Sequence, residues 1–118
     1  MKRSDVILSD GLSIHKYEWL TDSPKAHLLL VHGYAEYAGR YNHLSRHLND
    51  KGISVTSYDQ RGYGRSEGLR AYVKRFERYV LDLAEIRAQI EGPVFLMGHS
   101  MGGLVGVQYT LAQNDSNI

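Results

Sequence analysis

The sequence predicts an α/β domain in which a mostly parallel sheet is wound with helices on both faces. Three observations predict it. Leu28–Val31, Ile53–Tyr58 and Val94–Met97 are short apolar runs, the pattern of strands covered on both sides. Segments with apolar residues at helical spacing follow each run, so strand and helix alternate along the chain. Ahead of them, Asp10-Gly11 stands between two strand-like segments, a dipeptide suited to a hairpin turn.

The elements follow in chain order. Val6-Ile7-Leu8 and Leu12–Leu20 form the two arms of an antiparallel hairpin, the second alternating loosely around Ile14, Tyr17 and Trp19. After the Leu28–Val31 strand, Tyr41, Leu44 and Leu48 define a helix that Gly52 stops. After the Ile53–Tyr58 strand, Val73, Phe76, Val80, Leu83, Ile86 and Ile90 form a longer helical stripe, ended by Gly92-Pro93. The Val94–Met97 strand leads into a third helix over Met101–Gln113. Core packing accounts for Tyr17, Trp19, Phe76 and Tyr79. There is no repeat, linker or low-complexity stretch, so 118 residues are read as one hydrophobic core.

Composition narrows the function. A net charge of +1 gives no global field to attract nucleic acid or acidic lipid. The absence of cysteine excludes disulfides and thiolate chemistry. Val6–Leu8 is too short for a signal-peptide core, and no window approaches a membrane span. The expectation is a cytoplasmic protein without a transmembrane segment. His43 and His47 have i, i+4 spacing but lack the Glu and third ligand of a zinc site, so neither a metal nor a cofactor is expected.

The chemistry concentrates in Gly98-His99-Ser100-Met101-Gly102-Gly103, where the last strand meets the last helix. This is G-x-S-x-G in the strand-to-helix context its chemistry needs. The serine must stand on a sharp turn with its hydroxyl projecting, and side chains two positions either side would collide with backbone. The Met101 N–H then lies at the positive end of a helix dipole, facing a developing oxyanion. Roughly one chain in ten of this composition would carry the pattern by chance, so the context supplies the weight. A phosphate-binding turn is the rival reading. It lacks G-x-x-x-x-G-K-S/T, and Gly62-Tyr63-Gly64 fails G-x-G-x-x-G because position 67 is Glu.

Two further loops support the serine turn. Leu28–Val31 ends in His32-Gly33-Tyr34-Ala35-Glu36-Tyr37-Ala38-Gly39-Arg40-Tyr41. An oxyanion hole needs a second N–H from this loop, and that of Tyr34 is the candidate. Asp59-Gln60-Arg61-Gly62-Tyr63-Gly64-Arg65-Ser66-Glu67-Gly68 follows the next strand, with Asp59 and Arg61 bracing it.

His-Gly, then D-x-R-G-x-G-x-S, then G-H-S-M-G-G, in that order, resembles the α/β-hydrolases, from about Gly11 to Ile118. The finer match, HGYAEYAGRY followed by SEG, resembles the monoacylglycerol lipase and lysophospholipase branch. The resemblance implies Ser100 as nucleophile, with the Tyr34 and Met101 amides as oxyanion hole. It also implies a larger sheet, a lid beyond Ile118, and a small lipid ester as substrate. Many relatives carry a smaller residue at the position of Tyr34. The amide role survives that difference, while the acyl pocket changes shape.

A serine needs a base, and in this fold the triad runs Ser, then Asp or Glu, then His. After Ser100 the only acid is Asp115, and all six histidines lie at or before position 99. His99 and His32 are expected to be structural, His99 by packing, and His15, His27, His43 and His47 to lie on the surface or in loops. Residues 1–118 are therefore expected to form a partial α/β-hydrolase domain, truncated after the nucleophile helix, with the Val94–Met97 strand left as a bare edge. The leading reading is the N-terminal portion of a serine carboxylic-ester hydrolase, inactive in isolation, whose intact parent meets membranes peripherally. The alternatives are a non-catalytic module binding a partner through its sheet edge, and a fragment of a serine aminopeptidase-type hydrolase.

Overall fold

The computed structural model describes all 118 residues. A five-stranded sheet runs in the order β1-β2-β4-β3-β5. Its strands are β1 (Lys2–Ile7), β2 (Ser13–Trp19), β3 (Ala26–Val31), β4 (Ile53–Tyr58) and β5 (Phe95–Gly98). The hairpin pairs Val6 with Ile14 and Ile7 with Ser13, and β2 joins β4 antiparallel. β3 pairs in parallel with β4 and with β5, Val31 facing Gly98. The three parallel strands therefore end on one edge, at Val31, Tyr58 and Gly98.

The helices are α1 (Asn42–Asp50), α2 (Glu77–Arg87) and α3 (Met101–Gln113), with a 3-10 turn at Ala38–Tyr41 before α1. Strand side chains alternate between faces, so β3 feeds two cores. Leu29 and Val31 join Ile14, Tyr58, Leu83, Ile86, Val105 and Tyr109 beneath α2 and α3. Leu30 joins Tyr17, Trp19, Ala38 and Val55, with Leu28, Tyr41, Leu44 and Leu48 packed against them from the α1 side. Helices on both faces are the predicted architecture.

Three expectations need correction. The second helix starts at Glu77, so Val73 and Phe76 precede it while still packing against the core. Ala71 adopts φ 53°, which breaks the helical path, and the first turn then closes with Arg78 N–H donating to Arg75 O. His15 and His27 are strand residues rather than surface or loop ones. The His15 ring bonds Asp5 at 2.7 Å and the His27 ring bonds Thr56 at 2.8 Å, each across one strand pair. Burial pushes the His27 imidazole below its ordinary pKa. Finally, β5 is not covered on both faces, since Phe95 is 69% and Met97 39% exposed; its pairing with β3 alone leaves the bare edge expected of it. No helix is long and apolar enough to cross a membrane.

The loop after β4 is braced as expected, by more partners than expected. Asp59 accepts from the Ala38 N–H at 2.7 Å and the Arg65 N–H at 2.9 Å. Arg61 donates to both oxygens of Asp82 on α2, at 2.8 and 3.0 Å, and to Asp10 in the hairpin turn at 2.8 Å. Asp82 is 1% exposed and also receives Arg78 at 3.2 Å. Removing one partner of a buried ion pair strands the other. Asp82→Ala is therefore expected to cost about 3–5 kcal/mol, read as a lower urea midpoint at unchanged m-value.

Candidate active site

The site is built where α3 leaves the parallel edge of the sheet. β5 ends at Gly98, and the His99 N–H donates to Val31 O at 3.1 Å, tying the turn to β3. Gly102 and Gly103 then begin the helical ladder by donating to the carbonyls of His99 and Ser100, both at 2.9 Å. Between them Ser100 takes φ 54° and ψ −117°, a conformation that strains any residue with a side chain. A serine at a helix N-cap ordinarily accepts a bond from the first turn. Here Ser100 makes no such cap bond and is exposed. The strained backbone leaves its hydroxyl free of the helix.

The two flanking glycines permit this turn. A Cβ on Gly98 would sit 2.5 Å from the Gly102 carbonyl carbon and from Gly103 Cα. One on Gly102 would overlap the carbonyl oxygens of Val31 and His32. The collision predicted from sequence is thus specified: helix backbone for one, the end of β3 for the other.

The same close approach brings in the loop after β3. A Cβ on Gly33 would meet His99 O at 2.9 Å, so this loop lies directly against the serine turn. Tyr34 follows, its ring 63% exposed and edge-on to Tyr63 with centroids 6.1 Å apart. Neither the Tyr34 nor the Met101 N–H is among the amides bonded in loops, turns and caps. Met101 opens α3, where the first N–H groups have no intrahelical acceptor. The arrangement can offer a free hydroxyl beside unpaired amides.

His32, His43, His47 and Asp115 do not offer it a base. His32 is fully buried and spent on structure: Nδ1–H donates to Gly33 O at 2.7 Å and Nε2 accepts the Gln60 N–H at 3.0 Å. Burial holds its pKa below the ordinary value, so it stays neutral. His43 and His47 lie on the exposed face of α1. Asp115 lies past the far end of α3, about 20 Å of helix from Ser100. It is occupied there by Arg87 at 2.9 Å and Tyr109 at 2.8 Å.

His99 differs from expectation. Its side chain is 62% exposed rather than packed. Its Nδ1–H donates to Glu36 Oε2 at 2.6 Å. Glu36 is the residue that sequence reasoning missed. Its carboxylate also accepts from the Gly33 N–H at 3.0 Å and the Tyr41 hydroxyl at 2.7 Å. Burial alone would raise its pKa, but the bonds from Tyr41, His99 and Gly33 outweigh that and hold it below the ordinary carboxylate value. The signal was present in the spacing of Gly33, Glu36 and Tyr41 within one ten-residue motif.

Residues 22–118 match the Hydrolase_4 family, described as serine aminopeptidase, S33. The chain belongs to the Hydrolase_4 family of α/β-hydrolases. Among similar members, the human monoglyceride lipase is 36% identical over 108 residues, covering 86% of this chain and 36% of the relative. The phospholipase YtpA of Bacillus subtilis is 34% identical, covering 86% and 40%. The monoacylglycerol lipase of Paleococcus ferrophilus superposes with a TM-score of 0.77 at 32% identity, over 86% of this chain and 39% of that one. This Hydrolase_4 chain thus spans less than half the length of the relatives it matches.

Strain at Ser100 gives a stability test. Ser100→Gly is expected to stabilise the chain by about 1 kcal/mol, since glycine adopts this φ freely. Gly102→Ala is expected to cost about 3 kcal/mol or more, because backbone oxygens cannot yield to a methyl as side chains can. Urea unfolding measures both. A Ser100→Gly chain less stable than wild type would contradict the strained turn.

Proposed function

We propose that this chain is the N-terminal portion of a serine carboxylic-ester hydrolase acting on monoacylglycerol or lysophospholipid, with Ser100 as nucleophile. One observation carries the reading: a serine held at φ 54° between two obligatory glycines, its hydroxyl unbonded at a helix N-terminus. Strain of that kind persists only where the surroundings impose it, and it concentrates at reacting groups. The names of relatives such as the human monoglyceride lipase support a lipid ester as substrate.

In this reading the Ser100 oxygen attacks the ester carbonyl, and its proton passes to a histidine supplied from outside residues 1–118. The carbonyl oxygen takes negative charge beside the Tyr34 and Met101 amides, where fixed donors at a helix N-terminus stabilise it. The C–O bond then breaks, and the proton leaves on the alcohol product. Water cleaves the acyl-enzyme to a fatty acid and restores the serine. Residues 1–118 supply the nucleophile and the oxyanion donors. The lid, the acid and the base belong to the remainder.

A second reading, a serine aminopeptidase, is favoured by the description of the matched family. It uses the same turn and differs in the group that leaves. Esters of glycerol against aminoacyl anilides separate the two.

Two measurements test the proposal. The coding sequence past Ile118 is expected to continue into an apolar strand and later an acid and a histidine; a stop codon there sinks the partial-domain reading. The purified 118-residue chain is expected to turn over a p-nitrophenyl ester negligibly, while the longer product hydrolyses monoacylglycerol and loses about 10⁴-fold or more with Ser100→Ala. Robust turnover by the short chain, abolished by Ser100→Ala, would show that it holds its own base.

A further inference from the structure

We propose that Glu36 is a positioning residue, a clamp whose carboxylate locks the loop after β3 to the serine turn and so sets the two oxyanion amides against each other. The inference rests on the reading of the Tyr34 and Met101 amides as the oxyanion donors, and adds what holds them in register.

The geometry is specific. Oε2 takes two donors from different segments: the Gly33 N–H at 3.0 Å and His99 Nδ1–H at 2.6 Å. Oε1 takes the Tyr41 hydroxyl at 2.7 Å, anchoring the carboxylate to the start of α1. A carboxylate can only accept, so the His99 proton must reside on Nδ1. The Glu36 side chain is 9% exposed, and His99 is its one ion-pair partner. Ala35 takes φ 57°, so the chain doubles back and delivers the Glu36 carboxylate onto the amide three residues before it.

The bonds lie one residue from Tyr34 and two from Met101. Bonding the Gly33 N–H fixes the His32–Gly33 peptide plane, the one preceding the plane that carries the Tyr34 N–H. Holding the His99 ring fixes the residue immediately before Ser100, whose carbonyl also receives Gly102. Burial does not enforce the His99 position, since its side chain is 62% exposed. Without the carboxylate the ring is free to leave, and the loop loses the cap on Gly33. One side chain therefore joins both halves of the hole. The sheet register alone does not reach so far: it ends at Val31 opposite Gly98.

The test is amide hydrogen exchange and ¹⁵N relaxation on the 118-residue chain, with the His99 Nδ1 proton followed by NMR. In Glu36→Ala, residues 33–37 and 99–101 are expected to loosen together, with exchange about tenfold faster or more in both, while core amides of β3 and β4 stay unchanged. The bonded Nδ1 proton signal is expected to vanish. Glu36→Gln, whose amide oxygen still caps Gly33, is expected to recover most of the exchange protection at Gly33 and the ¹⁵N order at Tyr34. Loosening confined to residues 33–37, or absent, overturns the clamp. Should Glu36→Ala fail to fold, His99→Ala cuts one link only. A response at the Tyr34 amide then supports the clamp, and silence there overturns it. Phenylboronic acid, which forms a tetrahedral adduct on a base-activated serine, is the separate arm, run on the longer product that supplies the base. No adduct in wild type counts against the nucleophile, while the exchange data still decide the clamp. An adduct equally strong in wild type and Glu36→Ala counts against the clamp alone.

Discussion

The closest constraint in the molecule is the seating of the first turn of α3 on the end of β3. Gly102 lies so near the carbonyls of Val31 and His32 that a methyl group has no place. With the helix pressed there and β5 paired beside β3, only His99 and Ser100 are left to reverse the chain between Gly98 and the helix. Ser100 makes that reversal at φ 54°. The strain at the serine is therefore a consequence of strand-to-helix packing, imposed by apolar contacts such as Val105 and Tyr109 against the sheet core. Burial on the order of 25 cal/mol per Å² across the α3 interface offsets a local cost of about 1–3 kcal/mol.

The parallel edge of the sheet is held by polar groups because it carries the ends of strands. Carbonyls and amides there run out of ladder partners and must be satisfied otherwise. His32 and Gln60 do this between β3 and β4: the Gln60 side chain donates to His32 O at 2.7 Å while its amide donates to the imidazole. Asp59 does it for the 3-10 turn and for Arg65. Glu36 does it for Gly33. Three buried or half-buried polar hubs thus fix three loops on one edge. An edge built this way is stiff, which suits donors that must wait in place for charge to develop.

Much of this was legible in the residues. The four strand positions after the first and the span of α3 follow from apolar runs and from the glycine-bounded turn, because those elements obey one period each. The boundary of α2 did not follow. Val73 and Phe76 have helical spacing and do reach the core, but they reach it from turns, and spacing cannot tell the two apart. The roles of Gly98 and Gly102 were readable because a forbidden Cβ is a local fact. Those of His99 and Glu36 were not. Each depends on a bond spanning 63 residues, which no local pattern reveals. Asp59 was legible as a brace, yet its reach to Ala38 required the α1 side of the fold to be in place.

The division of labour within the site has a physical basis. Stabilising an oxyanion requires donors fixed by backbone, and backbone donors come from whatever segments flank the nucleophile. In the proposed reading those segments are the β3 loop and the first turn of α3, with the Tyr34 and Met101 amides as donors. Proton transfer requires a side chain that can approach the serine oxygen within about 3 Å, and such a group can come from any distance in sequence. Both imidazoles beside the serine turn are already engaged. His32 is buried between Gly33 and Gln60, and His99 holds Glu36. Recruiting His32 as base would release a structural bond, because both of its ring nitrogens are used, whereas His99 bonds Glu36 through Nδ1 alone. A base from a separate element avoids that conflict. Under the proposed reading, residues 1–118 fit a mechanism in which the oxyanion donors are set first and the proton acceptor is brought to them.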